Sequence, residues 1–387
     1  MLTLINADVD GELTVVKIEG SRIFSVGEPP EARERVVDLA GDRLLPGLIN
    51  AHDHLPLNHL PRLELPRRYR HVREWIAEVD RRRRVDGPLK AAVAVPLAER
   101  LLLGGMKNLL SGVTTVAHHD PLHSGLCELQ YPIRVVTRYG WAHSLYIDGE
   151  AKTLESVRRT PTDWPWIIHA AEGVDEEARE EFWRLERLGC LATNTLLVHG
   201  VALGPAERRR LTAAAAALIW CPASNLHLFG ATAEVAGLIQ EGRVALGTDS
   251  RLTGSRDLLE ELRIAAGQAV LTPATLEDLV TRDAARLLRL ADCGIVAPGA
   301  RADLLVVPAG TPLTQVRRSD IRLVMVDGIP LYGDLDAAGA VGFPARWAEV
   351  SVDGRAKVLD AGLADRLGRL SVREPGLELA AVTGRAA

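Results

Sequence analysis

Apolar positions follow two rhythms along this chain. Near both ends they fall in short β-type runs closed by turn residues. "LTVVKIEG" and "RIFSVG", parted by Gly20-Ser21, lead into "RVVDLAGDRLLPG", and "ADLLVVPA" (302–309) and "IRLVMVDGIPLYGD" (321–334) repeat the character far downstream. Runs of one kind at both ends can pair with each other. They predict a single small β domain, residues 1–45 plus 295–345, into which the middle of the chain is inserted.

Residues 46–294 change pattern. Short apolar runs alternate with helical stretches: "LLPGLINA", a helix over 89–111, "VTTVAHH", "IRVVTRYG", "PWIIHAAEG", a helix over 175–188, "TLLVHG", a helix over 205–217, "LIWCPAS", a helix over 232–241, "VALGTDS", then helices over 257–269 and 275–290. Strands that are apolar without alternation are buried on both faces, and repeated βα units build a parallel sheet. One stretch is short of residues. Between 116 and 167, "IRVVTRYG" and "WAHSLYI" read as two strands with almost no helix between them, so this side of the barrel is expected to be abbreviated. Residues 346–387 read as a C-terminal helical tail, with an Arg/Ala/Leu pattern over 355–370 and a Gly/Ala-rich end expected to fray.

Composition sets limits without changing this picture. A single α/β barrel of about 250 residues with additions would fill 387 residues. Apolar residues make up 47 % of the chain and aromatic residues 4 %, so the core is mostly Ala, Leu and Val. Forty-six basic against 51 acidic residues give a net charge of −5, which offers nothing to nucleic acid or an anionic membrane. The run Arg81–Arg84 reads as a solvated helix face. Cys127, Cys190, Cys221 and Cys293 form no C-x-x-C pair and no disulfide framework, which fits a reducing compartment. The N-terminus has no signal-peptide pattern, and no apolar run reaches about 18 residues. The expectation is a cytoplasmic enzyme with a small-molecule substrate and neither nucleic acid nor membrane as partner. A homo-oligomer is compatible with this.

The chemistry gathers where apolar runs end. "PGLINAHDHL" (46–55) closes such a run with two histidines one residue apart. Side chains alternate along a strand, so His52 and His54 share a face and Asp53 takes the other. Two imidazoles on one face at a strand end make half of a tetrahedral metal site. With 11 histidines in the chain, such a pair can also arise by chance in a solvated loop. Other runs end in the same way: "PWIIHAAEG" in His169 with Glu172 in the outgoing loop, "TLLVHG" in His199, and "VALGTDS" in Asp249. A lone histidine at a strand end is ordinarily a hydrogen-bonded filler. Four such events before four helices point to one barrel mouth, where barrel enzymes place their chemistry.

Taken together, "PGLINAHDHL", "HAAEG", "LVHG", "CPASNLHL", "LGTDS" and "PGARADLLVV", in that order over residues 46 to about 307, resemble the amidohydrolase superfamily in its cytosine-deaminase, guanine-deaminase and triazine-hydrolase branch. The resemblance implies a (β/α)8 TIM-like barrel with a small β-sandwich domain formed from both chain ends. It implies one divalent ion, zinc or ferrous iron, held by His52, His54, His169 and Asp249. Glu172 would shuttle protons, and His199 would orient the nucleophile or polarise the substrate. The implied reaction is hydrolysis of a C–N bond, in the first place deamination of a small N-heterocycle. Hydrolysis of a linear or cyclic amide at the same site is the alternative, and a metal-bearing barrel without turnover is a second one. A scaffold would have no use for Glu172 and His199.

Two-metal members of the superfamily bridge their ions with a carboxylated lysine or a glutamate. Lys17, Lys90, Lys107, Lys152 and Lys357 are the only lysines, and none closes a strand-like run, which argues for one ion. His118 and His119 at the end of "VTTVAHHDP", and His143 in "WAHSLY", are candidates for substrate contact. His59, His71, His123 and His227 read as peripheral. Cys221 reads as packing, because no neighbour is evident to make it a thiolate. Asn225 reads as loop support. The segment 55–75 is expected to cover the mouth, with Arg67, Arg68 and Arg70 on its solvated surface.

Overall fold

The computed structural model describes residues 1–342 and 347–380. The barrel strands are β1 (Leu48–Asp53), β2 (Val113–His118), β3 (Arg134–Val135), β4 (Gly140–Ser144), β5 (Trp166–Ala170), β6 (Thr195–His199), β7 (Ala217–Trp220) and β8 (Val244–Leu246). Every residue of β1, β2, β5, β6, β7 and β8 is buried, as their unbroken apolar runs require. The strands run parallel in two sheets, one holding β1 to β3 and the other β4 to β8, with neighbours in sequence order.

The two sheets meet at β8 and β1. The His52 carbonyl accepts from Thr248 N (3.0 Å) and Asp249 N (3.1 Å), while Val280 O and Leu279 O accept from Ile49 N (2.7 Å) and Leu246 N (3.0 Å). The opposite junction differs. Residues 136–139 alone connect β3 to β4, too few for a crossover helix, and among the described residues no ladder joins the two strands. A cavity of about 1140 Å³ lies against this junction, lined by Val135, Arg138, Trp164, Leu290 and Arg366. The abbreviation expected over 116–167 falls on two connections, since residues 119–133 between β2 and β3 hold only the short 3-10 helix Ser124–Cys127. Of "WAHSLYI" only "WAHS" is strand: Ser144 ends β4 and caps a helix, Leu145–Arg159, by accepting from Ile147 N.

Strands from both ends form one eleven-stranded mixed sheet. Its core gathers Leu4, Val16 and Ile23 from the start of the chain with Leu304, Val306, Leu323 and Met325 from the end. The join to the barrel is short: Arg43–Pro46 pairs with Leu304–Val307 in this sheet, and β1 begins at Leu48.

Several helices are shorter than their sequence patterns. The 89–111 pattern is two helices, Gly87–Val93 and Leu97–Leu109, parted near Pro96, where a helix interior would lose a hydrogen bond. The 232–241 pattern gives only Ala236–Gln240. The helical tail is a correction. Trp347–Val352 and Arg355–Asp360 are antiparallel strands that extend the terminal sheet, Leu377–Leu379 adds a third, and among the described residues of the tail only Ala361–Gly368 is helix. The expected fraying over 381–387 lies outside the described residues.

Behind β1, Asp53 points away from its histidine neighbours, as alternation requires. Its Oδ2 accepts from Lys107 Nζ (3.2 Å) and Asn108 Nδ2 (2.8 Å), and its Oδ1 from Asn58 Nδ2 (2.7 Å). Both members of the Asp53–Lys107 pair are fully buried. Removing one partner of such a pair strands the other charge. Asp53→Ala is expected to lower the unfolding free energy of the metal-free protein by about 3–5 kcal/mol in urea titrations. A loss below about 1 kcal/mol, the worth of a surface pair, would show that the pair carries no such weight.

Candidate active site

The C-terminal ends of β1, β5, β6 and β8 bring the chemistry together. His52 closes β1 with His54 just beyond it, His169 sits in β5, His199 ends β6, and Asp249 follows β8. Ala171, His199 and Asp249 all adopt positive φ (53°, 75° and 53°), a conformation costly for residues with a Cβ. The strain turns the outgoing chain at the places where polar side chains meet.

His169 Nε2 lies 3.3 Å from His52 Nε2 and 3.3 Å from His54 Nε2. Asp249 Oδ1 lies 3.7 Å from His54 Nε2 and 4.0 Å from His52 Nε2. Two tautomers are set from behind. His169 Nδ1–H donates to His143 O (2.7 Å), and His54 Nδ1–H donates to Asp120 Oδ2 (3.0 Å). The Nε2 atoms therefore face one another, an arrangement that calls for a positive charge, a proton or a metal ion, between them. Burial opposes a charge on His54, yet Asp120 and then Asp249 hold its pKa up at about 9. Burial would likewise raise Asp120, but His54 keeps it down at about 2. Nitrogen ligands about 2.0–2.1 Å from a tetrahedral zinc are separated by about 3.3–3.4 Å, so the Nε2 spacing suits such an ion. The carboxylate behind His54 is the usual orienting partner of a metal-binding imidazole.

The remaining side chains are held as firmly. Asp249 Oδ2 accepts from Ser224 Oγ (2.7 Å) and Thr253 Oγ1 (2.9 Å), which leaves Oδ1 to the histidines. His199 Nδ1–H donates to Asn225 Oδ1 (2.8 Å), and its Nε2 stands 3.6 Å from Glu172 Oε1. Burial, followed by the charges of Asp249 and Glu181, pushes the Glu172 carboxyl well above the usual carboxylate range. A carboxyl so placed holds its proton to higher pH than a free one and can act as an acid.

Of the substrate-contact candidates, His119 and His143 pack on His169, with ring centroids 4.3 and 4.7 Å away. His119 Nε2 hydrogen-bonds Ala142 O (2.9 Å), and its buried Nδ1 has no partner among the described residues. By distance alone, one nitrogen of His119 joins those of His52, His54 and His169 in a group spanning at most 4.8 Å. The structure does not bring His118 to these rings: its Nδ1 lies 3.4 Å from Asp53 O. Asp120, Ser224 and Thr253 escaped the sequence reading. Asp120 directly follows His119 at a strand end, a signal of the kind that marked Glu172. Asn225 does more than support a loop, since it fixes the His199 ring.

The segment after β1 crosses the mouth. Leu63 N donates to Leu252 O (3.1 Å), Tyr69 N to Leu228 O (2.8 Å), and Val72 N to Glu172 O (3.0 Å). Beneath it Leu60, Tyr69 and Trp75 pack with Leu228, Phe229 and Leu252. Arg67 pairs with Glu74 on its outer surface. Cys221 is fully buried and burial raises its thiol pKa, which agrees with packing. No helix among the described residues is long and apolar enough to cross a membrane.

Known proteins are similar to this chain. A model of the amidohydrolase family matches residues 161–331, which carry His169, His199 and Asp249. A 5-methylthioadenosine/S-adenosylhomocysteine deaminase of Halobacterium salinarum is 28 % identical over 84 % of this chain and 89 % of its own length. One from Thermococcus sibiricus is 24 % identical over 84 % and 90 %. Among solved structures, the zinc complex of an atrazine chlorohydrolase from Arthrobacter aurescens superposes with a TM-score of 0.71 at 19 % identity, covering 86 % of this chain and 95 % of that one. A zinc-bound adenosine deaminase from Xanthomonas campestris gives 0.67 at 20 %, covering 85 % and 92 %. At such identities the solved structures speak for the fold: a (β/α)8 TIM-like barrel with a small β-sandwich from both chain ends. The family match falls on the strand ends that carry His169, His199 and Asp249, and together with the motif order and the converging imidazoles it supports an amidohydrolase-type enzyme: the chain is a hydrolase of non-peptide C–N bonds that uses a divalent metal.

Proposed function

We propose that this enzyme deaminates a small aminated N-heterocycle by hydrolysis, with one zinc or ferrous ion held by His52, His54, His169 and Asp249. The observation that carries the reading is the meeting of three Nε2 atoms beside a carboxylate, with Glu172 and His199 paired next to them. Asp249 is preferred over His119 as the fourth ligand. Its Oδ1 stands close to two of the imidazoles, and a carboxylate offsets part of the ion's charge. A divalent ion at such a site lowers the pKa of a coordinated water from 15.7 to about 7.

The chain's own groups do the rest. Asp249 accepts a proton from the attacking water. His199, its ring fixed by Asn225, orients that water against the ring carbon. Glu172 delivers its proton to the ring nitrogen, and the proton taken up by Asp249 passes on to the departing amine, which leaves as ammonia. The mouth segment 55–75 shields the reaction from bulk water.

The relatives' substrates make aminated purines the first compounds to try. The test is an ammonia readout on metal-loaded protein against purines, 5-methylthioadenosine and S-adenosylhomocysteine included, and against pyrimidines, pterins and triazines. Ammonia from at least one aminated ring is the expected result. Hydrolysis of amides with no ammonia from any ring would move the enzyme to amide cleavage. The metal count is a separate expectation: protein loaded without excess metal holds about one equivalent by elemental analysis, in line with a single four-ligand site. A stable content near two would sink the one-ion reading.

A further inference from the structure

The loop after β8 is held from behind by a residue more than a hundred positions downstream. Arg251, two residues past Asp249, donates from Nη1 to Glu374 Oε2 (2.8 Å) and from Nη2 to Glu374 Oε1 (2.5 Å). Glu374 Oε1 also accepts from Arg318 Nη1 (2.7 Å), and Arg318 Nε lies 2.7 Å from Asp257 Oδ2. Asp257 in turn caps the helix Leu258–Ala266 by accepting from Glu260 N (3.0 Å). The Glu374 side chain is fully buried, and Arg251 and Arg318 are 6 % and 1 % exposed. Two guanidiniums meet two carboxylates, so the cluster is neutral only while Glu374 is present. Arg251 further donates to Asn58 O (3.2 Å) and Arg256 O (2.9 Å), which ties the start of the mouth segment to the same point.

We propose that Glu374 is a positioning residue: the C-terminal segment inserts its carboxylate to lock the loop 248–257, and through that loop sets Asp249 against the three imidazoles. The part concerning Asp249 rests on the ligand reading above, whereas the lock itself does not. The geometry favours this over mere surface stapling. The same stretch of chain has an outer fastening, Arg256 to Asp353 and to Pro375 O (2.8 Å), which is solvent-exposed and screened. Glu374 is dry and bidentate, the setting in which loss of one partner is most felt.

The test compares amide hydrogen exchange in the full chain for the parent, Glu374→Gln and Asp353→Asn. A glutamine keeps the shape, but its amide nitrogen must face a guanidinium. Exchange over residues 248–257 is expected to rise at least about tenfold in Glu374→Gln, with the distant helix Glu176–Arg187 unchanged and Asp353→Asn like the parent. On metal-loaded protein, the chelator EDTA should strip Glu374→Gln at least about tenfold faster than the parent. Parental exchange over 248–257, or a rise of equal size in Glu176–Arg187, would overturn the proposal, the latter by showing only global loosening. If Glu374→Gln does not fold, Arg251→Lys keeps the charge, breaks the two-pronged contact from the other side and is read in the same way. Absence of ammonia release would defeat the deaminase reading and leave the exchange comparison standing.

Discussion

His169→Ala is expected to lose both metal and turnover while keeping its fold, and His52→Ala to behave alike. Each ring supplies one of three nitrogens that face a common point, and neither variant offers a replacement. His119, stacked on His169, is a further nitrogen donor nearby, but its Nε2 is taken by Ala142 O, so it could offer only Nδ1 and is not expected to restore the site. Loss of a residue that merely orients a ligand costs 10–100-fold in metal affinity, so loss of a ligand should cost more than about 100-fold. The fold should survive because the ligands sit at the rim, whereas the barrel interior is packed by Ile49, Ala117, Ile167, Leu196, Val198, Ile219 and Ala245. Elemental analysis, circular dichroism and turnover on one preparation decide the matter. Full metal content with activity preserved in either variant would show that the ligand set is wrong.

Strand alternation made much of this site readable in the sequence. Because the period is two, His52 and His54 had to share a face and Asp53 had to leave it, and the structure has them so. The same rule puts His118 and His119 on opposite faces but does not say which turns inward. The register of β2 against β1 settles that, and it is a non-local fact. Supporting residues were illegible for the same reason. Asp120 reaches His54 across 66 positions, and Glu374 reaches Arg251 across 123. Nothing local marks either pairing. The tail failed differently. "RAKVLD" contains alternation and helix formers together, and pairing with Trp347–Val352 and Tyr332–Gly333 tips it to strand.

Glu172→Gln should separate an enzyme from a metal-holding shell. Glu172 lies three residues past His169, where the chain leaves β5. Its carboxyl stands 3.6 Å from His199 Nε2 in a buried setting. Burial favours the protonated form of this group, as delivery to a poorly basic ring nitrogen requires. Once that proton is given up, the resulting carboxylate can take one from the water. Both transfers are made at the transition state and contribute little to ground-state binding. Glutamine preserves the shape and one hydrogen-bonding oxygen, yet it cannot carry the proton. Turnover should therefore fall by about 10²–10⁴-fold with KM nearly unchanged, the signature of an interaction made only at the transition state. Metal content should stay at the parental level, because no atom of Glu172 is needed to complete the four-ligand set. Near-normal turnover in Glu172→Gln would remove the proton role. Loss of metal instead would make Glu172 a ligand, and the set of His52, His54, His169 and Asp249 would have to be redrawn around it.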